Sequence, residues 1–370
     1  MCAILFLVFT FSYLFYYQAD ILAVGQHVLS KGQTRYDRTI GALLITTVLY
    51  MVQLVVLAIT KLSKRSHALT YFPSLLILTI ITDISPDIDI HFSFGSWVWL
   101  FPLILIIYGG IVWMLRQIQP YEPDTNSIGL LSRMMWLNVM TIITMFVFVG
   151  VISSRHEIFH YRMHAEQCLL RNDYDGVLNT GAHCGDADMS LTMMRAYALS
   201  QKGELGEKLF EYPIVGGSRV LLPDSVNVKL LMYPEAKLYN YIGIYLIQRM
   251  STIKYLNFII NHNIYKKPAV DYLLCGYLLD KNLDAFVKNI GKYYKVNSKL
   301  PKHYREALTL YTHLRSNPIL VYHSNVMDAD YQDYQDMERN NPDKTLRKND
   351  LHESYGNTYW YYYQYAPLHN

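Results

Sequence analysis

The stretch IGALLITTVLYMVQLVVLAIT, residues 40–60, contains no Asp, Glu, Lys or Arg. A helix needs about 20 apolar residues to cross the hydrocarbon core of a bilayer. Four further stretches within residues 1–154 also lack charged residues: Ala3–Tyr17, Ala68–Thr82, Trp97–Leu115 and Met135–Ser153. We therefore expect an all-α protein with an N-terminal bundle of about five transmembrane helices.

The remainder of the chain is much more polar. Residues 1–154 hold 8 of the 33 Lys and Arg residues and 7 of the 30 Asp and Glu residues, so most of the charge lies in residues 155–370. Positive and negative charges are nearly balanced in residues 155–370. The tail lacks the positive excess with which proteins neutralise nucleic-acid phosphates, and we predict no nucleic-acid partner.

The loops between the apolar stretches indicate an orientation, because Lys and Arg favour the cytoplasmic side. Loop 61–67 carries three basic residues, whereas loop 83–96 carries none and contains Asp83, Asp87 and Asp89. Loop 18–39, which also carries three basic residues, opposes this trend. On balance the pattern predicts that the N-terminus lies inside and the tail outside.

Helical repeats are the organisation that the sequence favours for residues 155–320. Each unit would be a pair of amphipathic helices around a short polar turn, stacked on its neighbours. The turns are predicted at Asn172–Leu178, Gly203–Leu209 and Asp280–Asn282. A non-repeating helical domain is the alternative. We divide the chain into a transmembrane domain (1–154), a helical-repeat domain (155–320) and an acidic, Tyr-rich C-terminal segment (321–370).

The C-terminal segment contains the aromatic run Tyr359–Tyr365, with five tyrosines and Trp360. Aromatic rings with a polar tip suit two environments: a packed domain surface and the membrane–water interface. The sequence predicts either that this run docks as a capping segment or that it lies at the interface.

One motif has the form H-E-x-x-H, at His156–His160. On a helix its two histidines share a face and can bind zinc, while Glu157 can activate a bound water. His164 and Cys168 continue the same face. The candidate metal ligands are therefore His156, His160 and His164, with Glu157 as a candidate catalytic residue. An ordinary helix that follows the last membrane span is the alternative, and we expect no cofactor other than this possible zinc.

A second group of candidates is acidic. In extended backbone, Asp87, Asp89 and His91 would point the same way, as a cation or phosphate site requires. Asp20 stands just after the first apolar stretch. Asp20, Asp87 and Asp89 are thus candidate catalytic residues of a membrane enzyme that acts on lipid-linked sugars. The alternative is a short hydrated loop.

Four pieces of the chain resemble a known group of proteins. They are Tyr16–Asp20, Asp271–Tyr294, Leu300–Leu308 and Tyr355–Tyr361. Together they resemble uncharacterised bacterial membrane proteins with a tetratricopeptide-like tail. The resemblance implies a multi-pass protein of the bacterial inner membrane, and it implies no catalytic residue. In a bacterium, the orientation that the loops predict would place the C-terminal domain in the periplasm.

Whether the protein is an enzyme is left open by the sequence, which favours a non-enzymatic function. We expect a scaffold that is embedded in membrane lipids and whose external tail binds a protein or peptide partner. A transferase that acts on lipid-linked sugars and a zinc-dependent peptidase are the alternatives.

Overall fold

A computed structural model describes residues 1–90, 94–121, 132–153, 156–182, 187–224, 226–246, 248 and 250–367. Helices make up 71% of the structure, and these ranges contain no β-strand. The all-α prediction is therefore confirmed. The chain divides into two compact units, Met1–Met163 and His164–Asn370.

The first unit is built from apolar helices. They are α1 (Cys2–Ser12), α2 (Ala19–Leu29), α3 (Arg38–Thr60), α4 (Phe72–Thr82), α5 (Trp97–Ile118), α6 (Arg133–Ser153) and the start of α7 (Glu157–Leu170). Short turns of other helix types extend three of them. A π-helical turn (Tyr13–Tyr17) follows α1, while 3-10 turns precede α4 (His67–Tyr71) and follow α5 (Gln119–Tyr121).

The number of possible membrane spans is smaller than predicted. Among the described residues three helices, α3, α5 and α6, are long and apolar enough to cross a membrane. The segments Cys2–Tyr17 and Ala19–Leu29 pass the same test only as a pair, and they are bent by 68°. His67–Thr82 is apolar but shorter. Three to four spans replace the expected five, which is still consistent with a membrane protein.

Helix α4 is short because other helices enclose it. None of its residues is exposed, and Leu78 is completely buried. It packs between α3 and α6, and Ser74 Oγ donates a hydrogen bond to the carbonyl oxygen of Leu49 at 2.8 Å. A helix that is largely covered by protein need not match the roughly 30 Å of the hydrocarbon core.

The bend after Tyr17 is held by a buried glutamine. Gln18 Nε2 donates to Ser153 Oγ at 2.6 Å and to the Tyr13 hydroxyl at 2.9 Å. Ser153 Oγ also donates to Thr82 Oγ1 at 3.3 Å. Since an unpaired amide is costly in an apolar environment, these bonds hold the ends of α4 and α6 beside the bend.

The opposite end of α4 depends on Asn138 of α6, which is buried. Its Oδ1 accepts from the backbone N–H of Ala68 at 2.7 Å. Its Nδ2 donates to the carbonyl oxygens of Lys64 at 2.9 Å and Met134 at 3.0 Å. The asparagine therefore satisfies backbone groups at the beginning of the segment that leads into α4.

We expect Asn138→Leu to destabilise the first unit by about 1–2 kcal/mol, because it leaves the Ala68 N–H and the Lys64 carbonyl unpaired. Thermal unfolding of the full chain in detergent measures this loss. Thr144→Val is the matched control, since Thr144 is exposed and bonds only to its own helix at the Met140 carbonyl. Equal effects of the two substitutions would contradict the prediction.

The second unit is also helical. Its elements after α7 are α8 (Tyr174–Asn179), α9 (Met189–Lys202), α10 (Leu205–Lys208), α11 (Glu235–Ile242), α12 (Thr252–Asn261), α13 (Pro268–Leu279), α14 (Leu283–Tyr293), α15 (Lys302–Leu314), α16 (Asn325–Asn340), α17 (Lys344–Tyr355) and α18 (Tyr359–Tyr365). Two 3-10 turns, Leu209–Glu211 and Ser218–Leu221, lie between α10 and α11. The residues of the predicted segment 321–370 belong to this unit.

The structure has a turn at each of the three positions that the sequence indicates, and each turn contains a residue with a positive φ. Asn172, Gly203 and Lys281 have φ values of 58°, 73° and 54°, and each of them is followed by the start of a new helix. Asp173 and Asn282 cap α8 and α14 by accepting a backbone N–H three residues later. This is the usual role of Asp and Asn at a helix N-terminus.

The helix pairs do not form a regular array. Helix α8 has 6 residues and α10 has 4, whereas α14 has 11. Residues 209–234 separate α10 from α11, and the described residues among them contain 3-10 turns but no α-helix. The second helix of a pair must be long enough to stack on its neighbours. A tetratricopeptide-like repeat domain therefore stays a prediction.

A pair of buried polar side chains joins α15 to the C-terminal helix. Glu306 Oε2 accepts from His303 Nδ1 at 2.9 Å and from the Tyr359 N–H at 2.7 Å. The Phe210 N–H donates to His303 Nε2 at 3.2 Å, so the ring proton lies on Nδ1. Trp360 Nε1 donates to the Glu306 carbonyl oxygen at 2.8 Å. These bonds attach both α18 and Phe210 to α15.

We expect Glu306→Ala to lower the free energy of unfolding by about 3 kcal/mol, because the buried Tyr359 N–H and the His303 ring lose their acceptor. Urea unfolding of the full chain, followed by circular dichroism, measures the change. Glu353→Ala on α17 removes an exposed carboxylate and serves as the control. A loss no larger than in this control would contradict the proposed importance of Glu306.

Candidate binding groove

The H-E-x-x-H motif lies at the start of α7, and its side chains have other partners. His156 and Glu157 are exposed, and the Tyr161 hydroxyl donates to Glu157 Oε1. The His160 ring stacks on Tyr17, with ring centroids 4.9 Å apart. Burial lowers the pKa of His160, so its imidazole is neutral at pH 7.

The third candidate ligand lies one turn further along α7. His164 is exposed, and its Nε2 lies 3.8 Å from Cys168 Sγ. Across the described ranges, no three His, Cys, Asp or Glu side chains converge as a metal site requires. The helix places the predicted ligands on one face but supplies no further ligand to complete a zinc site.

The acidic candidates do not form a common site either. Asp20 pairs with Arg38, with 3.1 Å between Oδ1 and the guanidinium nitrogen. Residues 86–90 form a turn in which the Ile90 N–H bonds to the Asp87 carbonyl oxygen at 3.0 Å. The prediction of extended backbone at Asp87 and Asp89 is therefore wrong. His91 lies outside the described residues.

A groove of about 730 Å³ runs across the second unit. One wall is the connector 210–215, and the other is formed by α17, α18 and the residues between them. Its lining combines aromatic rings with polar groups. They include Tyr212, Lys348, His352, Asn357, Tyr361 and Tyr365.

The buried Glu306 determines which aromatic rings line this groove. Tyr359 and Trp360 bond to Glu306 and are buried, so this end of the aromatic run packs within the second unit. That the run caps a helical-repeat domain stays a prediction. The following residues of α18 then face the groove. Tyr361 and Tyr365 stand one turn apart and stack, with their ring centroids 5.0 Å apart.

Tyr362 joins the two walls of the groove. Its ring packs on Phe210, with centroids 4.7 Å apart, and its hydroxyl donates to the Leu279 carbonyl oxygen at 2.9 Å. Lys281 Nζ donates to the Ala366 carbonyl oxygen at 2.6 Å and thereby fixes the end of α18. Helix α18, which carries the aromatic rings of the groove, is therefore fixed by bonds near both of its ends.

The turn between α17 and α18 requires a glycine. A Cβ at Gly356 would lie 2.3 Å from the carbonyl oxygen of His352, which is a backbone atom that cannot move aside. On the same turn, the His352 ring packs against Tyr361, with ring centroids 5.3 Å apart.

Sequence comparison assigns the chain to a family. A family model described as a family of unknown function (DUF6057) matches residues 91–245 and 244–366. The chain belongs to this family. No curated protein and no solved structure matches it.

The family match covers both walls of the groove, but a family of unknown function assigns a role to none of its residues.

The protonation of the tyrosines is set by their surroundings. Burial raises the pKa of Tyr212, Tyr361 and Tyr365. Their hydroxyls therefore remain protonated at neutral pH and can both donate and accept hydrogen bonds.

The sequence indicated only one wall of this groove. The aromatic run is visible in the sequence as a cluster, whereas residues 210–215 carry no motif. The bond from the Phe210 N–H to His303 spans 93 positions. The charge and hydropathy pattern contain no signal for such a contact.

We expect the protein purified in detergent to contain no stoichiometric zinc, because the His160 and His164 rings have different neighbours and no three His, Cys, Asp or Glu side chains converge within the described ranges. Elemental analysis of the wild type and of His160→Ala measures the metal. The zinc content of the two samples should be the same. Stoichiometric zinc in the wild type that disappears in the variant would contradict this prediction and support the peptidase alternative.

Proposed function

We propose that this family member is a membrane-anchored binding protein whose C-terminal unit holds a peptide segment of a partner protein in the groove between residues 210–215 and α17–α18. The observation that carries the proposal is the groove itself, about 730 Å³ in volume and lined by tyrosines and polar side chains. Anchoring in the bacterial inner membrane, with the C-terminal unit in the periplasm, is part of the proposal.

Tyrosine side chains are well suited to peptide recognition. They provide a large contact area with few rotatable bonds, and their hydroxyls can bond to a peptide backbone. Tyr361 and Tyr365 are partly exposed, so their rings can contact a ligand. Because α18 is fixed through Tyr359, these rings lose little further freedom on binding.

The polar lining favours a peptide over a lipid chain. Lys348 and Glu353 supply charges of opposite sign, and Asn357 supplies a group that can both donate and accept. An extended peptide has regularly spaced N–H and C=O groups that need such partners. A saturated chain would leave these lining groups without a hydrogen-bond partner.

The groove differs from the surface that helical repeats would provide. It is formed by a connector and the C-terminal helices rather than by the concave side of stacked helix pairs. None of the seven candidate catalytic or metal-binding residues lines it. The binding hypothesis therefore has a specific surface in its favour, and the two enzymatic alternatives have none.

We expect peptides selected on the full-length protein to bind through the groove. Short random peptides are displayed on phage and selected on the protein in lipid nanodiscs, and the enriched sequences are then synthesised. Tyr361→Ala combined with Tyr365→Ala should weaken their binding by about tenfold or more, because each ring supplies on the order of 1 kcal/mol or more. Fluorescence polarisation measures the dissociation constants.

Tyr245→Ala provides the matched control, since this exposed tyrosine of the same unit does not line the groove. It should leave peptide affinity unchanged. If no peptide is enriched, or if the enriched peptides bind the double variant as tightly as the wild type, the proposed function is wrong.

A further inference from the structure

A second cavity, of about 630 Å³, lies in the first unit. It is enclosed by α2, α3, the end of α4, the loop that follows α4 and the start of α5. A volume of this size falls within the range of about 300–1,000 Å³ found for small-molecule sites. The lining is predominantly aliphatic, as is typical of such sites.

The lining combines many apolar side chains with a few polar ones. The aliphatic side chains come both from helices, including Ile45 and Ile81, and from the loop after α4, including Ile84. The polar side chains are fewer and include Gln26 and Ser85. A lining of this composition matches a molecule that has an apolar chain and a polar head.

Asp83 is the charged residue among the residues that line this cavity. Its Oδ2 accepts a hydrogen bond from Trp97 Nε1 at 2.7 Å. Among the described residues, no donor is bonded to its other carboxylate oxygen. One oxygen is thus fixed by the protein, while the second can accept from a ligand. A cationic donor would form the strongest bond there.

The surroundings favour a lipid as the source of this ligand. Helix α5 begins at the cavity and exposes large apolar side chains further along, including Trp99 and Ile106. In a membrane such a surface contacts lipid chains. Indole rings such as that of Trp97 are favoured at the level of the lipid headgroups. The Asp83 carboxylate would then lie at headgroup level.

We propose that this cavity binds one chain of a membrane phospholipid with a primary amine headgroup, and that Asp83 accepts from the ammonium group. Asp83 is the charged residue of the lining, so its carboxylate disfavours a headgroup whose only charge is negative. A zwitterionic headgroup that ends in an ammonium group satisfies both the cavity and the charge. This site is separate from the groove of the second unit.

The test uses the full-length protein in nanodiscs that contain equal amounts of phosphatidylethanolamine and phosphatidylcholine. The protein is extracted into detergent, and the lipid that stays bound is identified by native mass spectrometry. The wild type should retain one phosphatidylethanolamine in preference to phosphatidylcholine by about tenfold, because only the primary ammonium can donate to Asp83.

Three variants test the Asp83 carboxylate, the cavity and another acid of the same loop separately. Asp83→Asn should abolish the preference between the two lipids, while its amide oxygen can still accept from Trp97. Leu29→Trp places a large ring at an exposed position of the lining and should remove bound lipid of both kinds. Asp87→Asn changes an exposed acid of the same loop that does not line the cavity and should behave as the wild type.

The result that overturns the proposal is a wild type that retains no lipid or retains both lipids equally. An unchanged preference in Asp83→Asn also overturns it, because the carboxylate would then not recognise the amine. Retention that is the same in Leu29→Trp and the wild type would mean that the lipid binds elsewhere. Asp83→Asn preserves the shape of the side chain, so the test remains decisive even if Leu29→Trp fails to fold.

Discussion

Buried polar groups need hydrogen-bond partners, and both units of this protein are arranged around a few side chains that meet this need. In the second unit the carboxyl group of Glu306, which is 1% exposed, accepts from the Tyr359 N–H and from His303. In the first unit Gln18 and Asn138 connect segments that are far apart in the chain. Leaving such groups unpaired would cost about 1–3 kcal/mol each, so the positions of the helices follow from these bonds.

The same constraint explains why the groove of the second unit and the cavity of the first unit have different linings. The groove of the second unit is lined by aromatic and charged side chains because α18 buries Tyr359 and Trp360 and leaves its other face outside. The cavity of the first unit is lined mainly by apolar side chains, with a few polar groups among them. A peptide and a lipid chain are the ligands that these two linings match, and one protein would thus recognise both a partner and its membrane.

Some sequence predictions failed for identifiable reasons. Hydropathy detects apolar stretches, but it does not distinguish a helix in contact with lipid from one enclosed by protein. Residues 68–82 are as apolar as a span, yet α4 is buried among other helices. The extended backbone expected at Asp87 rested on alternation alone, whereas the structure has a turn there. Alternation over so few residues is a weak indication of a strand.

The sequence by itself determined the helical class, the apolar character of the N-terminal region and the positions of three turns. These features depend on neighbours within one or two helical turns, such as Asp173 and Asn282 at the N-termini that they cap. Only the tertiary structure decided which aromatic rings line the groove, which acid lines the cavity and what the motif at His156–His160 contacts. Such features depend on contacts between distant residues, for example Phe210 with His303 or Gln18 with Ser153. Local patterns do not encode these contacts because many different pairings would bury the same apolar area.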